Sequence, residues 1–216
     1  MQHTNPDAFK NIKQKILSYT LVDSDLLDYA LSFYDLIHLK KGEKLISEGS
    51  HVNHFYYLDS GCISYYKIEE GELKVLEFYT QNVFFTDLMA YVKGTPSNYF
   101  LEAVEDSTIL AVRKDLAEAS FDRSHQLERF GRLSMQEAFI KMLNRVDRLN
   151  HRSNEERYER ILQKRPDLFQ RVPQYLIASY LGITPVGLSK LRKRLGIGWL
   201  KCKAKTNSKV ALRYNQ

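Results

Sequence analysis

The chain has 216 residues, 44% of them apolar and 27% charged, enough for one large domain or two ordinary ones around a real hydrophobic core. No apolar run approaches the ~18 residues that span a bilayer, and the opening MQHTNPDAFKNIKQK lacks the apolar stretch of a secretory signal. Cytoplasmic location without membrane contact is the expectation. Cys62 and Cys202 fit no metal-ligand spacing and read as two unrelated reduced thiols; their number excludes an iron–sulfur cluster held by four cysteines of one chain.

The net charge of +6 conceals a polar division. Residues 1–124 sum to −7 and residues 125–216 to +13, and after Asp167 the chain carries ten positive side chains and no acid. Solvated faces normally mix both signs, so this pattern predicts a polyanionic partner at the C-terminal end only.

In chain order, Phe9, Ile12, Ile16 and Tyr19 fall at helical spacing, predicting a short amphipathic helix over 8–19. A second helix follows in DLLDYALSFY, with Ser24 as its expected N-cap. From about residue 35 the texture turns to short segments rich in Val, Ile, Tyr and Phe between turn signals. FYYL (55–58), CISYYKI (62–68), LKVLEFY (73–79) and STILAV (107–112) read as strands of an antiparallel barrel or roll.

Past residue 113 the pattern is helical again. Met135, Phe139, Met142, Val146 and Leu149 step by 4, 3, 4 and 3, an a/d seam over two heptads that predicts a helix pairing with its twin. The alternative for this helix is packing on its own β domain. Ser153, followed by Glu155 and Glu156, opens another helix that Pro166 closes.

Residues 173–195, PQYLIASYLGITPVGLSKLRKRL, meet the demands of a helix-turn-helix. Ala178 is small where a second helix must cross, and Gly182 supplies a positive φ at low cost. Ile177, Leu181, Ile183, Leu188 and Leu191 fill the shared core. Thr184 caps the second helix and Pro185 sits at its first position, where a missing N–H costs nothing. With Leu188, Leu191 and Leu195 inward, Pro185, Val186, Ser189, Lys190 and Lys193 face outward. Lys190 is the expected guanine contact and Ser189 a base or phosphate contact; Arg192, Lys193 and Arg194 are expected on phosphates. The tail 196–216 reads either as a small basic wing or as a disordered basic segment.

These residues resemble the Crp/Fnr family of bacterial regulators along nearly the whole chain. The run LKKGEKLISEG…FYYLDSGCISYYKIEEGELKVLEFYTQNVFF is similar to that family's cyclic-nucleotide-binding β-roll, an RmlC-like jelly roll, with Gly42, Gly49 and Gly61 at its turn glycines. The stretch EERYERILQKRPDLFQRVPQYLIASYLGITP resembles a subgroup common in Bacteroidetes. The resemblance implies an α+β chain in three parts: a sensor roll over 1–124, a dimerisation helix over 125–150 and a winged helix-turn-helix over 151–216. It further implies a homodimer on a palindromic operator in double-stranded DNA, with RNA polymerase as a further partner.

Members that bind cyclic AMP carry Gly-Glu-Leu and, ten residues on, Arg-Ser/Thr-Ala, the Arg pairing with the cyclic phosphate. The matching positions here are Thr86-Asp87-Leu88, after Phe85, and Ser97-Asn98-Tyr99. Serine cannot replace that charge-assisted contact, and no basic residue lies between Gly94 and Asp106. The expectation is a degenerate pocket without cyclic AMP, with Tyr91, Tyr99 and Phe100 either filling it or lining a different, more apolar one, open to an unidentified small-molecule effector. Many members have Glu and Arg on the recognition helix where this chain has Val186 and Lys190, so a different half-site is expected.

Two rivals have less behind them. His51 and His54 lack the carboxylate partner of a two-His metal dioxygenase, and no nucleophile elbow, phosphate loop or Cys-His pair appears, so neither enzyme activity nor a metal is expected. A ligand-sensing or scaffold module that does not bind DNA is the other reading, opposed by the acid-free C-terminus.

Overall fold

The computed structural model describes residues 6–196, and the side chains of all of these except 6 and 148–151. The chain divides into two compact units, residues 1–145 and 146–216.

The first unit begins with α1 (Pro6–Leu17) and α2 (Ser24–Leu31). Ile12 and Ile16, one turn apart on α1, are fully buried, as their spacing predicts. The cap of α2 is Asp23 rather than Ser24. Its carboxylate and backbone N–H are both engaged by the Gln126 amide, at 3.0 and 2.8 Å.

Eight strands follow: β1 (Tyr34–Leu39), β2 (Lys44–Ile46), β3 (His54–Ser60), β4 (Cys62–Glu69), β5 (Glu72–Thr80), β6 (Val83–Phe85), β7 (Phe100–Ala103) and β8 (Ser107–Arg113). They form two four-stranded sheets, ordered β1-β8-β3-β6 and β2-β7-β4-β5, with every pairing antiparallel. This is a jelly roll, in agreement with the predicted antiparallel roll.

The first sheet is covered on both faces. From β3, Tyr56 and Leu58 enter the roll interior with Ile63, Leu101 and Ile109. Tyr57, between them, points the other way into a second core with Ile12, Ile16, Leu31, Leu127 and Phe130. A strand buried on both faces reads as a continuous apolar run, which is why FYYL carries no alternation. At the β3–β4 corner Gly61 has φ +101°, and a Cβ there would lie 2.6 Å from the Ser107 Cα, so only glycine passes.

Between β6 and β7 lies the short α3 (Leu88–Lys93); after β8 come α4 (Lys114–Arg123) and the long α5 (His125–His151). The 27 residues of α5 span the predicted central helix almost residue for residue, and the division between the two units falls within it.

The described part of the second unit is helical: α6 (Asn154–Lys164), α7 (Leu168–Arg171), α8 (Gln174–Leu181) and α9 (Pro185–Arg194). Ser153 and Glu156 close a reciprocal capping box at the start of α6. Tyr158, Leu168, Ile177, Ala178, Leu188 and Leu191 are buried. The segment 197–216, on which the expected wing falls, lies outside the described residues. The architecture is thus mixed α+β, a jelly roll followed by a helical region.

Candidate nucleic-acid interface and sensor pocket

The α8–α9 pair is built by its turn. Gly182 ends α8 in the left-handed region at φ +71°, and the Ile183 N–H reaches back to the Ala178 carbonyl at 3.0 Å. Thr184 then caps α9, its hydroxyl accepting from the Gly187 N–H at 3.0 Å, with Pro185 at the first helical position. Ala178 is fully buried, and Leu188 and Leu191 close the contact from α9. Leu195 stays half-buried.

The outward face of α9 holds Pro185, Val186, Ser189, Lys190 and Lys193, all exposed, together with the Thr184 cap. The basic residues at its end divide. Arg192 turns inward: its Nε donates to the Tyr158 hydroxyl at 3.1 Å, and its guanidinium lies 5.8 and 5.4 Å from the Tyr158 and Phe169 rings. That is a packing role, tying α9 to α6 and α7, where the sequence reading has a phosphate contact. Arg194 is exposed but ion-paired with Glu155. Lys190 and Lys193 are the lysines the helix presents to solvent.

In the roll, the seven residues singled out at the cassette positions part company. Asp87 is 1% exposed and caps α3, accepting from the Ala90 N–H at 3.4 Å. The Ser97 hydroxyl donates to it at 2.6 Å and the Tyr65 phenol at 3.2 Å. Ser97, itself 1% exposed, accepts from the Tyr99 N–H at 3.0 Å. Thr86 is buried with its hydroxyl on the His54 carbonyl at 3.0 Å. Phe85 is buried, Asn98 is exposed, and Leu88 lines a different cavity on the outer face of the roll.

Aromatic rings occupy the space beside Asp87. Tyr65 packs on Tyr99 at 4.8 Å between centroids, Tyr79 on Phe85 at 5.0 Å, and Tyr56 on Phe85 at 5.5 Å. Burial, then the charge of Asp87, drives the Tyr65 phenol far above its ordinary pKa, and burial pushes Tyr56 up to about 12. Of the three rings expected to fill the pocket, only Tyr99 does so beside Tyr65. Phe100 stacks on Tyr66 at 5.0 Å beneath the Lys44 ammonium, and Tyr91 leans on Phe55. Tyr56, Tyr65 and Tyr79 were not distinguishable from ordinary strand residues by sequence.

Along α5, Met135 is half-buried, while Phe139, Met142 and Val146 are exposed, joined by Ile140 and Leu143. The side chain of Leu149 lies outside the described residues. Among the described residues no group of three or more His, Cys, Asp or Glu is placed to hold a metal ion. No described helix is long and apolar enough to cross a membrane.

Residues 36–124 match the cyclic nucleotide-binding domain family. The chain is similar in structure to FixK2 from Bradyrhizobium japonicum, with a TM-score of 0.64 at 17% identity over 76% of this chain and 84% of that one. It is similar to CLP of Xanthomonas campestris, a c-di-GMP-responsive global regulator, at TM-score 0.63 and 15% identity over 81% and 92%. The catabolite activator protein of Thermus thermophilus aligns at TM-score 0.51 and 16% identity over 81% and 84%. No curated protein matches the chain. Residues 36–124 thus hold a cyclic nucleotide-binding domain, and the chain shares its fold with these solved structures.

The residues at the cassette positions do not fit a cyclic nucleotide. The phosphate needs a cation where this chain has Ser97, and Asp87 is already engaged by Ser97, Tyr65 and the α3 backbone.

Proposed function

We propose that this chain is a homodimeric, sequence-specific DNA-binding transcription regulator of the Crp/Fnr type, acting in the cytoplasm without enzymatic chemistry. The observation that carries the proposal is the α8–α9 pair: a capped, proline-started helix after a left-handed glycine turn, presenting Val186, Ser189, Lys190 and Lys193 outward in a stretch without acids. In this reading α8–α9 is a helix-turn-helix of the Bacteroidetes-type subgroup. The N-terminal part of α9 enters the major groove, Lys190 contacts a guanine, and Thr184, Ser189 and Lys193 set position on the backbone. Dimerisation through Met135, Phe139, Met142, Val146 and Leu149 places two readers on half-sites about one helical turn, ~34 Å, apart, so the operator is palindromic. RNA polymerase is the further partner this class of regulator implies. The roll, with its cassette closed on itself, is assigned no cyclic nucleotide.

Binding of the purified protein to genomic fragments across a salt series tests the proposal. Wild type selects particular fragments, and log K falls linearly with log salt, about one unit of slope per phosphate contacted. Lys190→Ala loses about 1–3 kcal/mol at its own base position and keeps nonspecific binding. Absence of preference at every salt, with and without cell extract, removes the DNA reading and leaves a scaffold module.

A further inference from the structure

We propose that the roll domain carries a binding site for an uncharged, ring-containing organic molecule, on its outer face rather than at the nucleotide cassette. A pocket of about 510 Å³ opens there, walled by Leu88 and Tyr91 of α3, Phe121 of α4, and Leu127, Phe130 and Met135 of α5. All of its lining belongs to the first unit.

Size argues for an occupant. The pocket opens to solvent beside the exposed Phe139, and its volume lies within the roughly 300–1,000 Å³ of sites for organic ligands. The walls are anchored: Leu127 is 1% and Phe130 5% exposed, and both belong to the core built on α1 and α2. Gly131 lets the Phe121 ring lie directly on α5, where a Cβ would come within 2.7 Å of it. The pocket is thus held open by packed rings rather than by a loop.

The chemistry of the lining selects the class of ligand. Glu128 and Arg132 are its only charged side chains, and they pair with each other at 3.9 Å across one helical turn, so no charge is left for an ion. The Ser120 and Ser134 hydroxyls are taken by the Leu116 and Gly131 carbonyls at 2.9 Å each. What remains is an apolar wall of rings and aliphatic side chains with the Gln136 amide, and the rings favour offset or edge-on contact with another ring.

The position carries a consequence that rests on the dimer reading above. Leu88 directly follows Asp87, and Met135 and Phe139, both in the lining, belong to the α5 seam. An occupant would therefore touch the cassette helix and the dimerisation helix together, and its differential affinity would bias the arrangement of the latter.

Titrating the full-length protein with the neutral fluorophore N-phenyl-1-naphthylamine, without DNA, tests the site independently of operator binding. Saturable binding at one probe per chain is expected, with backbone hydrogen exchange slowed at 127–135. Ala117→Phe fills the pocket and weakens the probe about tenfold or more, a loss of at least about 1.4 kcal/mol, while far-UV circular dichroism is retained. Ser120→Leu on the same wall serves if the first variant does not fold. The site is overturned by nonsaturable binding, by affinity unchanged in these variants, or by binding that vanishes as protein concentration drives dimerisation, which would make the second copy the occupant.

Discussion

Asp87 combines three tasks in one buried carboxylate. It caps α3, receives the Ser97 hydroxyl and receives the Tyr65 phenol. Where the resemblance implies an acid for the ribose hydroxyl and an arginine for the cyclic phosphate, this chain closes the corresponding positions on each other through a 2.6 Å hydrogen bond. Asp87→Ala removes the cap, worth about 1 kcal/mol, and strands the Tyr65 phenol at about 1–3 kcal/mol for an unsatisfied buried group, while the Ser97 hydroxyl keeps the Tyr99 carbonyl at 3.1 Å. We expect a total loss of about 2–4 kcal/mol by urea denaturation. Asp87→Asn keeps both acceptor and size and should recover most of it. Equal loss in the two variants would mean that the charge itself, rather than the hydrogen bonds, holds the turn.

At the scale of elements, the buried phenols on β3, β4 and β5 make the roll sensitive to alkali. Tyr56, Tyr65 and Tyr79 all titrate above the ordinary phenol value, chiefly through burial. A phenol whose folded pKa is raised favours folding fully below its unfolded value, near 10, and that contribution is lost as pH climbs from there through the folded value. Tyrosinate absorbance and loss of far-UV ellipticity should therefore rise together above pH about 10. Tyr65→Phe, which cannot ionise, should shift the unfolding edge to higher pH.

What was legible follows the same physics. β3, β4, β5 and β8 were readable because each is seven to nine residues long and rich in aromatic or branched side chains. β2 and β6 have three residues each, and β7, FLEA, spends half its length on residues without strand preference, so tertiary pairing alone makes them strands. The turn and cap of α8–α9 were legible because their signals are local: Gly182, Thr184 and Pro185 act within five residues. The anchoring of Arg192 was not, since its partners Tyr158 and Phe169 lie 34 and 23 positions upstream. The outer pocket, assembled from eight elements, has no linear signature at all.

For the molecule as a whole, the decisive surface is the stripe on α5. Phe139, Ile140, Met142, Leu143 and Val146 are 50–57% exposed within eight residues. A contiguous apolar face of that kind on a single chain marks an interaction site, and Phe139, Met142, Leu143 and Val146 fall at a, d, e and a of a heptad, which suits a second helix of the same kind. A twofold seam brings each residue near its own symmetry mate, so Met142→Glu sets two carboxylates against each other in a desolvating contact. Sedimentation equilibrium should show wild type as a dimer at micromolar concentration and the variant as a monomer. Because Met142 is 57% exposed in the single chain, far-UV circular dichroism of the variant should be unchanged, so a shift in mass reports the interface and not the fold. Operator affinity should fall far more than affinity for a lone half-site, because the second reader is no longer held at high effective concentration. A wild-type chain that sediments as a monomer at these concentrations would break the link between the seam and the palindromic operator, and the stripe would then need a partner other than its twin.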